Sequence, residues 1–185
     1  GFYKKDRDKK GNRIILALNL KSFEYSEKKK PKFETIGKAK KINQLKKRLT
    51  ILIEGTDKAA IFYQKMFAFM FSYVAHRLPE ITEEIYKIDA AMCAGFGWEM
   101  GPFEIWDSIG IKKGVELIKN AKLPIPKWCK NISQSSFYNI KNGLKTYYDI
   151  QKDDQIKVPV LNKIITLNNL REKHLIWQNN DLSLL

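Results

Sequence analysis

Cysteine and histidine are scarce in this chain of 185 residues, with two of each. Cys93 and Cys129 cannot build a disulfide framework, so the expected compartment is a reducing one, the cytoplasm. They stand too far apart for zinc-ligand spacing, and no metal site is expected. His76 lies beside Arg77 at the expected end of a long helix, where a basic group suits the last carbonyls. His174 has no serine or carboxylate arrangement near it in the chain. Long apolar runs are missing too. The densest, residues 61–75, is interrupted by Gln64-Lys65 and is too short to cross a bilayer, and no signal-peptide pattern appears, so a soluble protein is expected. Initiating methionine is absent, which suggests an excised piece of something longer.

Acidic residues are outnumbered, 20 against 34 Lys and Arg, for a formal charge of +14. The excess is local. Residues 1–50 hold 17 basic and 5 acidic side chains, so nearly all of the charge belongs to one segment. Lys28-Lys29-Lys30, Lys40-Lys41 and Lys46-Lys47-Arg48 are mostly lysine, which solvates well and makes few bidentate contacts to bases or phosphates. A solvated basic surface is the reading preferred. A helical nucleic-acid-binding module is the alternative, and an anionic cofactor such as a nucleotide diphosphate stays open. The 44% hydrophobic content is that of a globular protein, enough for one domain or a domain with an appendage.

What is present is concentrated in Gly95-Phe96-Gly97-Trp98-Glu99-Met100-Gly101-Pro102-Phe103-Glu104-Ile105-Trp106-Asp107. Glycines end a helix near Gly95, and Pro102, with its fixed φ, opens another. Phe96, Trp98, Phe103 and Trp106 are expected to pack over that joint. It contains no nucleophile, base or ligand set, and a rigid connector is the reading its residue types support.

Elsewhere the pattern predicts a mainly α fold with peripheral β-hairpins. Phe2-Tyr3, the turn Lys10-Gly11-Asn12 and the run from Ile14 to Leu20 read as a hairpin, and Ser22 to Pro31 as a solvated connector. Thr35 is the expected N-cap of a helix to about Leu52, with Ile42, Leu45, Leu49 and Leu52 on its apolar face. Asp57 caps the longest helix, whose stripe Ile61, Phe62, Met66, Phe69, Met70, Tyr73 and Val74 reads as core. Pro79 with Glu80, Glu83 and Glu84 suits the first turn of a third helix lined by Ile81, Ile85, Ile88 and Met92. Cys93 follows as a small core residue. A short helix runs from Pro102 to Gly110, another covers Lys112 to Lys122, and a helical turn lies around Trp128 to Asn131. Ser136 to Ile140, Asn142-Gly143 and Leu144 to Asp149 read as a hairpin with a type I′ turn. Asp89 and Asp107 are expected to be buried carboxylates accepting from amides of the glycine-rich loop.

The two hairpins resemble each other. Gly1-Phe2-Tyr3-Lys4 answers Ser136-Phe137-Tyr138-Asn139, each followed by a turn glycine, Gly11 or Gly143, and a hydrophobic strand. The chain then begins with the tail of one repeat and contains a whole second one.

Taken together, Ile88-Asp89, Gly95 with Gly97, Gly101-Pro102-Phe103 and Asp107 before Gly110 resemble the C-terminal helical domain of 3-hydroxyacyl-CoA dehydrogenases. Their form here is similar to the second copy of that domain in bifunctional proteins that also carry an enoyl-CoA hydratase. The resemblance covers roughly residues 55–150. It implies three segments: 1–34, the end of a preceding copy and a basic connector; 35–150, the helical domain; and 151–185, a tail toward a missing downstream domain. In the tail, Ile164 to Leu170 and Trp177 to Leu184 are similar to the segment leading into a hydratase. The resemblance also implies a parent oxidoreductase acting on acyl-CoA with NAD, bound on a Rossmann domain that supplies a His-Glu pair. No Gly-x-Gly-x-x-Gly follows a strand here, and Asn12-Arg13 lies at a turn, so no catalytic, cofactor or metal role is assigned to this chain and it is expected to be inactive alone. Expected partners are the missing first copy, the Rossmann domain and acyl-CoA, with a homo-oligomer possible and neither membrane nor nucleic acid among them. Part of the 61–74 stripe is expected to be an interface.

Overall fold

The structure, a computed structural model, describes residues 1–28, 31–141, 143–159, 174–179 and 182–184. It divides into two units, Gly1–Phe33 and Glu34–Leu185.

The first unit is an antiparallel meander of β1 (Tyr3–Arg7), β2 (Arg13–Leu18) and β3 (Tyr25–Glu27). Its first turn is tied by the Asp8 carboxylate, which accepts from the amides of Lys10 (2.8 Å) and Asn12 (2.9 Å). β3 falls in the stretch expected to be a connector, because the Asn19 amide closes a second tight turn onto the Glu24 carbonyl (2.9 Å). Lys29 and Lys30 lie outside the described residues.

The second unit is mainly helical. The single helix expected from Thr35 is two, α1 (Glu34–Ala39) and α2 (Leu45–Glu54). Arg48 reaches back to donate to the carbonyls of Ile42 (3.0 Å) and Asn43 (3.2 Å), which satisfies the intervening loop without helix. Thr35 is buried inside α1 and donates its amide to Asp57 (3.0 Å); it is not a cap.

α3 (Lys58–Ile81) opens at Asp57, which accepts the Ala60 amide (2.9 Å) as expected. It runs past the expected break, so Pro79 stands in its last turn and His76 lies within the helix, its Nδ1 paired with the Ser72 carbonyl (2.7 Å). Proline offers no amide to the Ala75 carbonyl four residues back, and the Trp128 indole N–H takes that place (3.1 Å). The expected inner stripe is also corrected. Phe67, Phe71, Val74, Ala75 and Leu78 are buried, whereas Ile61, Phe62, Met66, Phe69 and Tyr73 are exposed. α3 is apolar nearly all round, and α2 with the helices Pro102–Ile109 and Ile111–Asn120 covers one side of it, a choice that periodicity cannot make.

α4 (Ile85–Phe96) buries Ile85 and Asp89; Ile81, expected on the same face, is exposed at the end of α3. α5 (Pro102–Ile109) and α6 (Ile111–Asn120) meet at Gly110, whose φ of +96° is one that side-chain-bearing residues avoid. A single turn, α7 (Lys127–Lys130), leads to a second meander of β4 (Tyr138–Lys141), β5 (Leu144–Asp149) and β6 (Asp154–Lys157). β6 lies beyond residue 150, so the sheet continues into the stretch expected to be tail. Asn142 of the β4–β5 turn lies outside the described residues, as do 160–173 with the Ile164 to Leu170 motif, and Asn180-Asp181. β7 (Trp177–Gln178) and β8 (Ser183–Leu184) form a short ribbon. No helix among the described residues is long and apolar enough to cross a membrane.

The core is aromatic. Phe71 stacks on Trp106 at 4.6 Å, and Phe137 meets Phe103 (5.1 Å) and Trp106 (5.3 Å) edge-on, an arrangement the ring quadrupoles favour. Each such ring contributes about 1.5–3 kcal/mol by leaving water.

Candidate functional site

α4 ends at Gly97, whose left-handed φ of +65° turns the chain while its amide closes on the Cys93 carbonyl (3.0 Å). The following residues double back so that Gly101 lies against α4. A Cβ there would fall 2.4 Å from the Asp89 Cα and 2.3 Å from its Cβ, so only glycine lets the two backbones meet. Pro102 next to it starts α5, where no amide is needed. The free amides of that first turn are met from the neighbouring helix: Asp89 accepts from Phe103 (2.9 Å) and Glu104 (3.0 Å). Glu104 in turn accepts the Gly101 amide (3.2 Å).

Tyr138 completes the arrangement. Its hydroxyl donates to Asp89 (2.8 Å) and its amide to Asp107 (2.8 Å), which also accepts the Phe137 amide (2.7 Å) and the Ser136 hydroxyl (2.8 Å). Lys145 lies 4.2 Å from the Tyr138 ring centre and pairs with Glu104 at 2.6 Å. Two carboxylates from α4 and α5 thus fasten the second sheet to the helices. Asp89 accepts from the start of α5, as the sequence suggests; Asp107 accepts from the sheet and not from the glycine-rich loop.

Burial is the main influence on these groups. It pushes the Asp89 carboxyl up to about 7, against its hydrogen-bond donors and with the repulsion of Glu104. It raises Asp107 as well, opposed by the Phe137, Ser136 and Tyr138 donors and the charge of Lys46. Burial, with the Asp89 charge beside it, drives the Tyr138 phenol far above its ordinary range, so the hydroxyl keeps its proton. Cys129 is buried and its thiol likewise raised, whereas Cys93 is half-buried and outside the central core.

In front of the fastening lies a cleft of about 870 Å³, walled by Lys46, Lys47 and Thr50 of α2, Glu104, Asp107 and Ser108 of α5, and the Ser136 to Ile140 segment. Its charges are of both signs, and its one hydroxyl–carboxylate contact, Ser136 on Asp107, belongs to the fastening, where the same carboxylate accepts the Phe137 and Tyr138 amides. No group of three His, Cys, Asp or Glu able to hold a metal comes together among the described residues.

Of the signature residues, Asp89, Gly101, Pro102, Phe103 and Asp107 are brought together here. Gly97 and Gly110 are helix ends, and Gly95 faces open space. Phe96 and Trp98 do not pack over the joint: they are 73% and 38% exposed, because the turn at Gly97 carries them outward while Phe103 and Trp106 on α5 fill the interior. The sequence reading passed over Tyr138, Ser136 and Lys145. The repeated Phe-Tyr doublet was the available signal for Tyr138.

Known proteins of one family resemble this chain in sequence. The model of the 3-hydroxyacyl-CoA dehydrogenase C-terminal domain matches residues 62–174. A "Probable 3-hydroxyacyl-CoA dehydrogenase" of Bacillus subtilis (strain 168) is 34% identical over 189 residues, covering 100% of the chain and 23% of the relative. A "Putative fatty acid oxidation complex trifunctional enzyme" of Rickettsia felis is 30% identical over 167 residues, 85% of the chain and 21% of the relative. A protein of the same description from Rickettsia prowazekii is 34% identical over 84 residues, 43% of the chain and 12% of the relative. The chain thus spans less than a quarter of the curated relatives it matches. No solved structure matches it significantly. With the helix joint, its paired aspartates and a family match across most of its length, the chain belongs to the 3-hydroxyacyl-CoA dehydrogenase C-terminal domain family.

Proposed function

We propose that this chain is the supporting domain of an NAD-dependent 3-hydroxyacyl-CoA dehydrogenase of fatty acid oxidation, inactive by itself and working in the cytoplasm. The observation that carries the reading is the family match over residues 62–174, which contains the whole Asp89–Gly101–Asp107 joint. The described residues do not fit the dinucleotide. Their paired strands are all antiparallel, and no glycine turn leads from a strand into a helix N-terminus to cradle phosphates. No catalytic step is therefore drawn through this chain. The signature residues Asp89, Gly95, Gly97, Gly101, Pro102, Phe103, Asp107 and Gly110 serve shape.

Two surfaces support the role. The cleft beside α2 presents the exposed lysines Lys46 and Lys47, which attract the phosphates of an acyl-CoA toward the substrate side. Arg48, first grouped with them, is spent on the Ile42 and Asn43 carbonyls. The exposed α3 face of Phe62, Met66, Phe69 and Tyr73 is the surface on which another helical copy packs, within the longer protein or in a homo-oligomer.

The test is reduction of NAD by a 3-hydroxyacyl-CoA, followed by absorbance. The longer natural protein shows it and the 185-residue chain does not. In the longer protein, Lys46→Gln with Lys47→Gln raises KM about 3-fold or more at low salt and leaves kcat unchanged. Activity in the short chain, or none in the long one, refutes the reading.

A further inference from the structure

Phe2 and Tyr3 occupy in the first sheet the places that Phe137 and Tyr138 occupy in the second. Both sheets are three-stranded meanders in sequential order. The Leu18 amide donates to the Phe2 carbonyl (2.9 Å) as the Tyr148 amide does to the Phe137 carbonyl (2.7 Å). Tyr3 lies opposite Ala17 as Tyr138 lies opposite Tyr147. In an antiparallel ladder the residue after such a bonded pair turns its amide away from its neighbour. The outward groups of Tyr138 go to Asp107 and Asp89, with Phe137 fully buried beside them.

The first sheet has the same equipment and no seat. Phe2 is 68% and Tyr3 63% exposed, and neither the Tyr3 amide nor its hydroxyl has a hydrogen-bond partner among the described residues. All of β1 and β3 is exposed. A meander with so little buried surface is not stable on its own. The seat in this chain is filled by Phe137 and Tyr138, so a second copy of the chain has none to offer without losing its own sheet.

We propose that residues 1–33 are the closing sheet of a second helical body of the same fold, which holds Phe2 and Tyr3 through two carboxylates placed as Asp89 and Asp107 are here. That body belongs to the part of the longer protein outside this chain, which spans 23% of its Bacillus subtilis relative. Its aromatic pocket takes the Phe2 ring, one carboxylate takes the Tyr3 amide, and the other takes the Tyr3 hydroxyl.

The inference rests on the chain being part of a longer protein of this family, and not on the reaction that protein catalyses. Amide hydrogen exchange on the longer natural protein and on the 185-residue chain tests it. In the longer protein, the Phe2 and Tyr3 amides exchange about 100-fold or more slowly than in the short chain, approaching Phe137 and Tyr138. Phe2→Ala lowers the melting temperature of the longer protein by about 5 °C and leaves the short chain unchanged. Tyr3→Phe, which removes only the hydroxyl, keeps the fold and speeds exchange. Changing to alanine the two aspartates of the upstream body that align with Asp89 and Asp107, which removes both acceptors, abolishes the protection. Equal exchange in both proteins, or a Phe2→Ala variant silent in both, overturns the inference. A longer protein that protects Phe2 and Tyr3 but reduces no NAD leaves it standing and removes the proposed activity.

Discussion

Replacing Asp89 by asparagine sets burial against hydrogen bonding. The side chain is 4% exposed and its carboxyl is pushed up from 3.8 to about 7, with burial the largest cause. The folded protein then holds a proton at Asp89 that the unfolded chain releases. Stability contributed by this group is full below pH 4 and is lost as pH rises toward 7. Linkage between those two values makes the loss about 2 kcal/mol from pH 5 to pH 7, flattening above. The protonated acid is accommodated because the Tyr138 hydroxyl can turn from donor to acceptor, while Phe103 still donates to the other oxygen. Asparagine is neutral throughout but turns its NH2 group toward either the Glu104 or the Phe103 amide, so Asp89→Asn lies about 1–3 kcal/mol below the parent at pH 5 and recovers about 2 kcal/mol of that gap by pH 7. Urea unfolding at fixed ionic strength and several pH values measures the difference. A gap that widens against the variant as pH rises would show that three donors outweigh burial, and would refute the reasoning.

Phe137→Ala opens a cavity beside Phe103, Trp106 and Trp128 and costs about 3–5 kcal/mol, whereas Phe96→Ser at the exposed end of α4 changes stability by less than about 0.5 kcal/mol. The same denaturation curves separate the two. Gly114→Val places a Cβ 2.0 Å from the Trp106 Nε1, breaks its hydrogen bond to the Ile111 carbonyl, and costs about 1–3 kcal/mol with a shift in tryptophan fluorescence. Phe69→Asp on the open face of α3 leaves the fold intact and abolishes concentration-dependent association in sedimentation. A parent chain that never associates removes that reading of α3.

Several elements could be read from residues alone because their causes are local. Asp57 caps α3 through an amide three residues on and Pro102 starts α5, while the glycine that ends α4 is Gly97, two residues past the expected Gly95. Asp89 was legible as a buried acceptor because a lone carboxylate on an apolar helix face must find donors. Its third donor, Tyr138, comes from 49 residues away and carries no local signal. Pro79 misled because its missing amide reads as a helix start, and only the arrival of Trp128 at the Ala75 carbonyl makes it tolerable late in α3.

By itself the amino-acid sequence determined where α3 and α5 begin, that the fold is mainly α, and that the Gly-Pro joint belongs to a dehydrogenase family, because capping, periodicity and turn chemistry act over a few neighbouring residues. Tertiary structure alone decided which side of α3 is core, that Phe96 and Trp98 point outward, and that Asp107 binds the sheet. Those outcomes depend on which distant segment covers a surface or brings the donors, and that competition is settled only when the elements pack together.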